Sequence, residues 1–159
     1  MGTKLPTIVY LTEQETKYAD QVGQWRWTEA LRQGCHDSHG LQSDSPAEHL
    51  LGTRGELAFS KVSGLPWDGS VNTFKSKPDV ACFEVRTRSK PWHELIVRDD
   101  DFSSRDFALM CLQKDGGYAF HGWIPGYSAK QERYRASHGG RESAYFVPQT
   151  ALVGLWPAQ

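Results

Sequence analysis

The spacing of apolar residues changes character once along the chain. Up to Pro66 they recur every three or four positions, and after Pro78 they gather into short runs divided by turn residues. The first period belongs to helices, and the second grouping to strands. A short run from Thr7 to Leu11 predicts an opening strand. Thr12 follows as an N-cap, with Glu13 and Glu15 in a first turn where the helix dipole favours acids. Tyr18, Val22, Trp25 and Leu31 predict the buried stripe of a first helix that stops at Gly34. Residues 35–44 carry no periodicity and read as a loop.

Ser45-Pro46 opens a second helix with a cap and a first-turn proline. Its predicted stripe is Leu51, Gly55, Ala58, Val62 and Leu65, and the small residues in it let a helix backbone lie close to a sheet. Gly64 and Pro66 end it. Trp67 to Lys77 is polar, and its Asp68-Gly69 turn signal fits a tight hairpin or an exposed binding loop. Strands are then expected over 80–87, 95–98, 107–112 and 118–124, with Asp115-Gly116-Gly117 as a hairpin turn. A basic segment spans Pro125 to Arg141, a last strand covers Ala144 to Val147, and a terminal turn or helix ends near Trp156. This order predicts a single α+β domain with one central sheet.

Composition narrows the classes. The 159 residues suffice for one core, and 38% hydrophobic with 23% charged residues is a globular balance. A net charge of −1 means that any nucleic acid would have to meet a local basic face. No apolar run approaches the ~20 residues a bilayer requires, and Met1 to Pro6 lack the apolar core of a signal peptide. Three cysteines without a CxxC make a disulfide framework unexpected, so a reducing cytoplasm is the expectation.

The chemistry concentrates in Lys77-Pro78-Asp79-Val80-Ala81-Cys82-Phe83-Glu84-Val85-Arg86. Glu84 and Arg86, two apart on a strand, share a face. Asp79 lies an odd five residues before Glu84, so the two acids converge only if Asp79 sits in a turn ahead of the strand, a start that Pro78 favours. Glu56, one step off the second helix's packed stripe, can reach the end of the sheet and complete a three-carboxylate cluster. Such oxygen donors suit Mg²⁺ or Mn²⁺. The plain alternative is a strand with a surface Glu–Arg ion pair.

A helix acid, then Pro-Asp, then acid-x-Lys on the next strand is the pattern of the PD-(D/E)XK nuclease superfamily, which this chain resembles through Glu56, Pro78-Asp79 and Glu84-Val85-Arg86. The longer string GTRGELAFSKVSGLPWDGSVNTFKSKPDV, with FEVRTRS and LIVRDDD, is similar to small proteins of tailed bacteriophages. The resemblance implies a restriction-endonuclease-like core, a mixed four-stranded sheet flanked by helices. It also implies Mg²⁺ (or Mn²⁺) held at Asp79 and Glu84 with support from Glu56, the Val85 carbonyl as a further ligand, and hydrolysis of DNA by water activated on the metal. DNA is favoured over RNA as substrate, a homodimer is compatible with the family, and the setting would be the cytoplasm of a bacterial host. Arg86 replaces the lysine; arginine keeps its proton, so it can stabilise phosphate charge but cannot act as a base. That departure leaves room for a non-catalytic relative that binds nucleic acid or blocks a host defence protein.

Other residues have two readings. Arg54, Arg88 and Lys90 can contact phosphate or be solvated surface, as can Lys130, Arg133, Arg135 and Arg141 in the basic segment. Cys35, His36, His39 and His49 lack the second ligand pair of a zinc site, so a solvated loop is expected. Asp99-Asp100-Asp101 reads as a turn cluster, Trp123 as core, and Trp67 and Trp92 as base contacts flanking the site. His93, beside that site, reads as an inert loop histidine.

Overall fold

The computed structural model describes residues 5–34, 46–71 and 77–154. In chain order the elements are β1 (Thr7–Val9), α1 (Glu13–Arg32), α2 (Pro46–Ser63), β2 (Phe83–Arg88), β3 (Leu95–Val97), β4 (Asp106–Leu112), β5 (Tyr118–Pro125), α3 (Gly126–Ala129), β6 (Arg135–Ala136) and β7 (Ala144–Val147). The class is α+β, with a mixed sheet. Four strands lie in the order β1-β5-β4-β2, with β2 and β4 parallel and the other pairs antiparallel. A second, three-stranded antiparallel sheet, β3-β7-β6, replaces the expectation of one central sheet.

β4 shows why two layers form. Its alternate residues Ala108 and Met110 join Phe59 of α2, Phe83, Val85 and Phe120 in one core. Phe107, Leu109 and Cys111 join Leu95, Val97, Tyr145 and Val147 in another. A strand buried on both faces reads as a continuous apolar run, as DFALMCL does. α2 therefore covers one face of the mixed sheet, with α1 packed against α2, and the small sheet covers the other. The expected flanking by helices holds on one side only.

Local signals explain the element ends. Thr12 and Glu15 form a reciprocal capping box at the start of α1. Gly64, at φ +76°, donates its N–H to the Ser60 carbonyl and closes α2. Gly116, at φ +91°, turns the β4–β5 hairpin, where the Gln113 N–H meets the Gly117 carbonyl at 2.8 Å. The stripe expected on α1 is corrected: Tyr18, Trp25 and Leu31 are about half exposed, and the buried face is Ala19, Val22, Gly23 and Ala30. Small residues prevail there because α1 lies against α2, where a Cβ on Gly23 would stand 2.9 Å from Thr53 Oγ1. The first strand stops at Val9, β2 begins three residues later than expected, and residues 64–71 are irregular, while 72–76 of the expected hairpin or binding loop lie outside the described residues. Among the described residues a 3₁₀ turn over Gln149–Ala151 follows β7, with Val153 bridging to Trp123. Cys35, His36, His39 and Trp156 lie outside the described residues, and His49 packs edge-on to Trp27. No helix among the described residues is long and apolar enough to cross a membrane.

Candidate functional site at the open edge of β2

β2 ends the mixed sheet, so one of its edges has no neighbouring strand in that sheet. The chain enters it through a turn in which Phe83 N–H bonds the Val80 carbonyl at 2.8 Å and Ala81 takes φ +51°. Asp79 N–H returns to the Phe83 carbonyl at 3.0 Å. This turn removes the odd-step problem. Asp79 folds beside the strand, and its Oδ2 accepts the Val85 N–H at 2.8 Å. Val85 faces the α2 core, and Glu84 and Arg86 point to the other side.

Glu56, Asp79, Glu84 and Arg86 line one cavity of about 280 Å³ with Val85, joined by Asp101 and Phe107. The sequence-predicted quartet thus comes together from three segments: α2, the turn before β2, and β2. Gly55 sets the reach of α2, since its backbone lies directly on Thr87 of β2. The next residue, Glu56, is buried and passes the strand edge.

Burial and like charge govern the acids. Burial raises the Asp79 pKa to about 6, and the Glu56 charge pushes it the same way. Burial raises Glu84, with the Asp79 charge adding to it. Burial also raises Glu56, against the pull of Arg26. Acids that hold one another's protons on are poised to take up positive charge.

Sequence reasoning missed several partners. Arg26 of α1 bonds Glu56 Oε1 at 2.8 Å, and Trp67 Nε1 donates to Oε2 at 2.8 Å. Arg105 pairs with Glu84. Asp101, read as part of a turn, does accept the Arg98 N–H at 2.7 Å, and it also pairs with Arg86 at 2.8 Å. The Arg86 guanidinium lies 5.3 Å from the Phe107 ring centroid. Arg26 had a legible signal: it continues the small-residue face Ala19, Val22, Gly23, Ala30, where a charge needs a partner. Arg105 carried none.

The cavity is lined by oxygen donors whose chemistry is of the kind a hard cation such as Mg²⁺ or Mn²⁺ takes. The donors do not form a closed cage: among the described residues no three acidic, histidine or cysteine groups are gathered closely enough to hold an ion. Glu56 and Glu84 are turned onto arginines instead.

The outlying candidates are placed as follows. Arg54 makes a two-pronged pair with Asp20 at 2.6 and 2.7 Å. Lys130 binds the Asp99 and Asp101 carbonyls, and Arg135 binds Asp99 and the Tyr145 hydroxyl. Arg133 lies over Tyr134 and is exposed. Lys90 is exposed. Trp67 does border the site, through Glu56. Trp92, His93, Arg88 and Arg141 belong to a second cavity. Trp123 is partly buried against the core, edge-on to Phe83. No protein-family model, curated protein or solved structure matches the chain.

Proposed function

We propose that this protein is a metal-dependent phosphodiesterase of restriction-endonuclease-like type that hydrolyses the DNA backbone in a bacterial host cytoplasm. The observation that carries the reading is the meeting of Glu56, Asp79 and Glu84 in one cavity, with their proton affinities raised by burial and mutual charge. Asp79 and Glu84, with Glu56 in support, would hold Mg²⁺ or Mn²⁺. A divalent cation there supplies Lewis acidity toward water and the phosphoryl oxygens.

The chain's own groups do the rest. Asp79 is oriented by the Val85 N–H, which fixes one carboxylate oxygen and with it the direction of the other. Glu56 and Glu84 would turn from Arg26 and Arg105 toward the cation, freeing guanidinium donors beside the substrate. Arg86, braced by Asp101 and Phe107, would neutralise charge developing on the phosphate. It keeps its proton, so proton removal falls to solvent or substrate phosphate.

The test is cleavage of single- and double-stranded DNA with Mg²⁺ or Mn²⁺, the parent beside Glu84→Gln. The parent is expected to cut, and the variant to lose about a hundredfold or more. Equal cleavage by both would remove the site assignment.

One observation favours a second reading, a non-catalytic nuclease scaffold that binds nucleic acid or a host defence protein. Every acid of the cluster already has a protein partner, and the lysine position is an arginine. Tight binding to DNA or to such a protein without cleavage of any substrate would select it.

A further inference from the structure

A second cavity, of about 350 Å³, opens beside the first. The two share β2: Glu84 and Arg86 line one, and Arg88, two residues on and therefore on the same face, lines the other. They also share the segment after β3, which gives Arg98 to the second cavity and Asp101 to the first. Two residues along a strand is about 6.6 Å, comparable with the separation of successive phosphates on one nucleic-acid strand.

We propose that this second cavity receives one unpaired nucleotide of the DNA strand, its base against Trp92 and its phosphate among Arg88, Arg98 and Arg141. Trp92 is 68% exposed at the rim, an arrangement that leaves its ring open to a planar partner. Phe146 forms the far apolar wall, with His138 standing edge-on to it at 4.5 Å. Three guanidiniums face two carboxylates, Glu94 and Glu142, so the lining carries a positive excess. Arg88 is anchored by the Glu94 carbonyl. Burial lowers its pKa, Cys111 and Glu94 oppose that, and the charges of Arg98 and Arg141 add a smaller push downward. A bound phosphate would relieve that repulsion. His93 contributes its ring to the same wall, beside Trp92. The volume lies at the small end of ligand cavities, suited to one nucleotide and not to a duplex. Stacking on Trp92 makes the site tolerant of base identity.

The inference rests on the phosphodiesterase reading for its place beside the cut, and it can be tested separately. The full chain in EDTA is titrated calorimetrically with dAMP, deoxyadenosine and inorganic phosphate. dAMP is expected to bind at least tenfold tighter than either fragment. Trp92→Ala should weaken it about tenfold, and Arg141→Ala, at an exposed position, should weaken it without loss of fold. Asp79→Asn should bind dAMP as the parent does. Absence of saturable dAMP binding, phosphate bound as tightly as dAMP, or no effect of Trp92→Ala would overturn the inference. If dAMP binds as expected and no DNA is cut, the nucleotide site stands and the phosphodiesterase reading falls. If DNA is cut and dAMP does not bind, the reverse holds.

Discussion

Asp79→Asn is expected to be more stable than the parent by about 2 kcal/mol at pH 8 while losing DNA cleavage. The Asp79 pKa rises from 3.8 to about 6 in the fold, first through burial and then through the Glu56 charge. A shift of that size corresponds to about 3 kcal/mol of cost to the ionised native state, reduced here because an amide is an imperfect replacement. Asparagine removes the charge and retains an oxygen that can accept the Val85 N–H. The sign follows from linkage. Below the unfolded pKa both states hold the proton and there is no penalty. Between about pH 4 and 6 the unfolded chain loses its proton while the native state keeps it, so parent stability falls as pH rises. Above pH 6 the penalty is complete and constant. Unfolding of the two proteins at pH 4 and pH 8 should show a gap that opens across this window, worth roughly 4–8 °C in melting temperature at the alkaline end. A variant less stable than the parent at pH 8 would show that Asp79 serves the fold rather than the site.

Gly55→Ala should destabilise the protein by about 4 kcal/mol, against the usual gain of replacing a helical glycine. A Cβ there would fall 1.7 Å from Thr87 Oγ1 and 2.6 Å from Thr87 Cβ. Rotating the threonine moves its hydroxyl but not its Cβ, so α2 must lift from β2. That lift opens the core around Phe59 and carries Glu56 away from Asp79. Gly52→Ala is the control: it lies on the same helix with nothing within 4 Å of the added carbon. It should gain up to about 1 kcal/mol. Chemical denaturation of both variants checks the pair. Equal effects would mean that α2 and β2 are not in close contact at Gly55.

These two residues mark what could be read in the sequence. Gly55 and Ala58 announced a helix lying close on a sheet, and Pro78 announced that Asp79 precedes its strand, because both constraints are local. Glu56, Asp79, Glu84 and Arg86 share a cavity as their spacing allowed. The role of Asp101 was hidden because a triple acid at a turn has a sufficient local explanation, and its pairing with Arg86 is a tertiary contact between segments 15 residues apart. The exposed stripe of α1 misled for a related reason. Tyr18 and Trp25 have helical spacing, but the helix–helix contact selects small residues, and bulk there would hold α1 away from Thr53. β3 and β7 were legible as strands, but their separation into a second sheet was not: two to four residues carry too little pattern to assign a partner, and β6 is two residues long inside a basic segment.

Mn²⁺ binding followed by the loss of its free-ion paramagnetic resonance signal addresses the carboxylate cluster directly. The full chain is predicted to take up Mn²⁺ at a saturable site, with Mg²⁺ competing, and both Asp79→Asn and Glu84→Gln are predicted to abolish that uptake. A parent that leaves the free-ion signal intact, or variants that bind as well as the parent, would contradict the assignment of Glu56, Asp79 and Glu84 as a cation site.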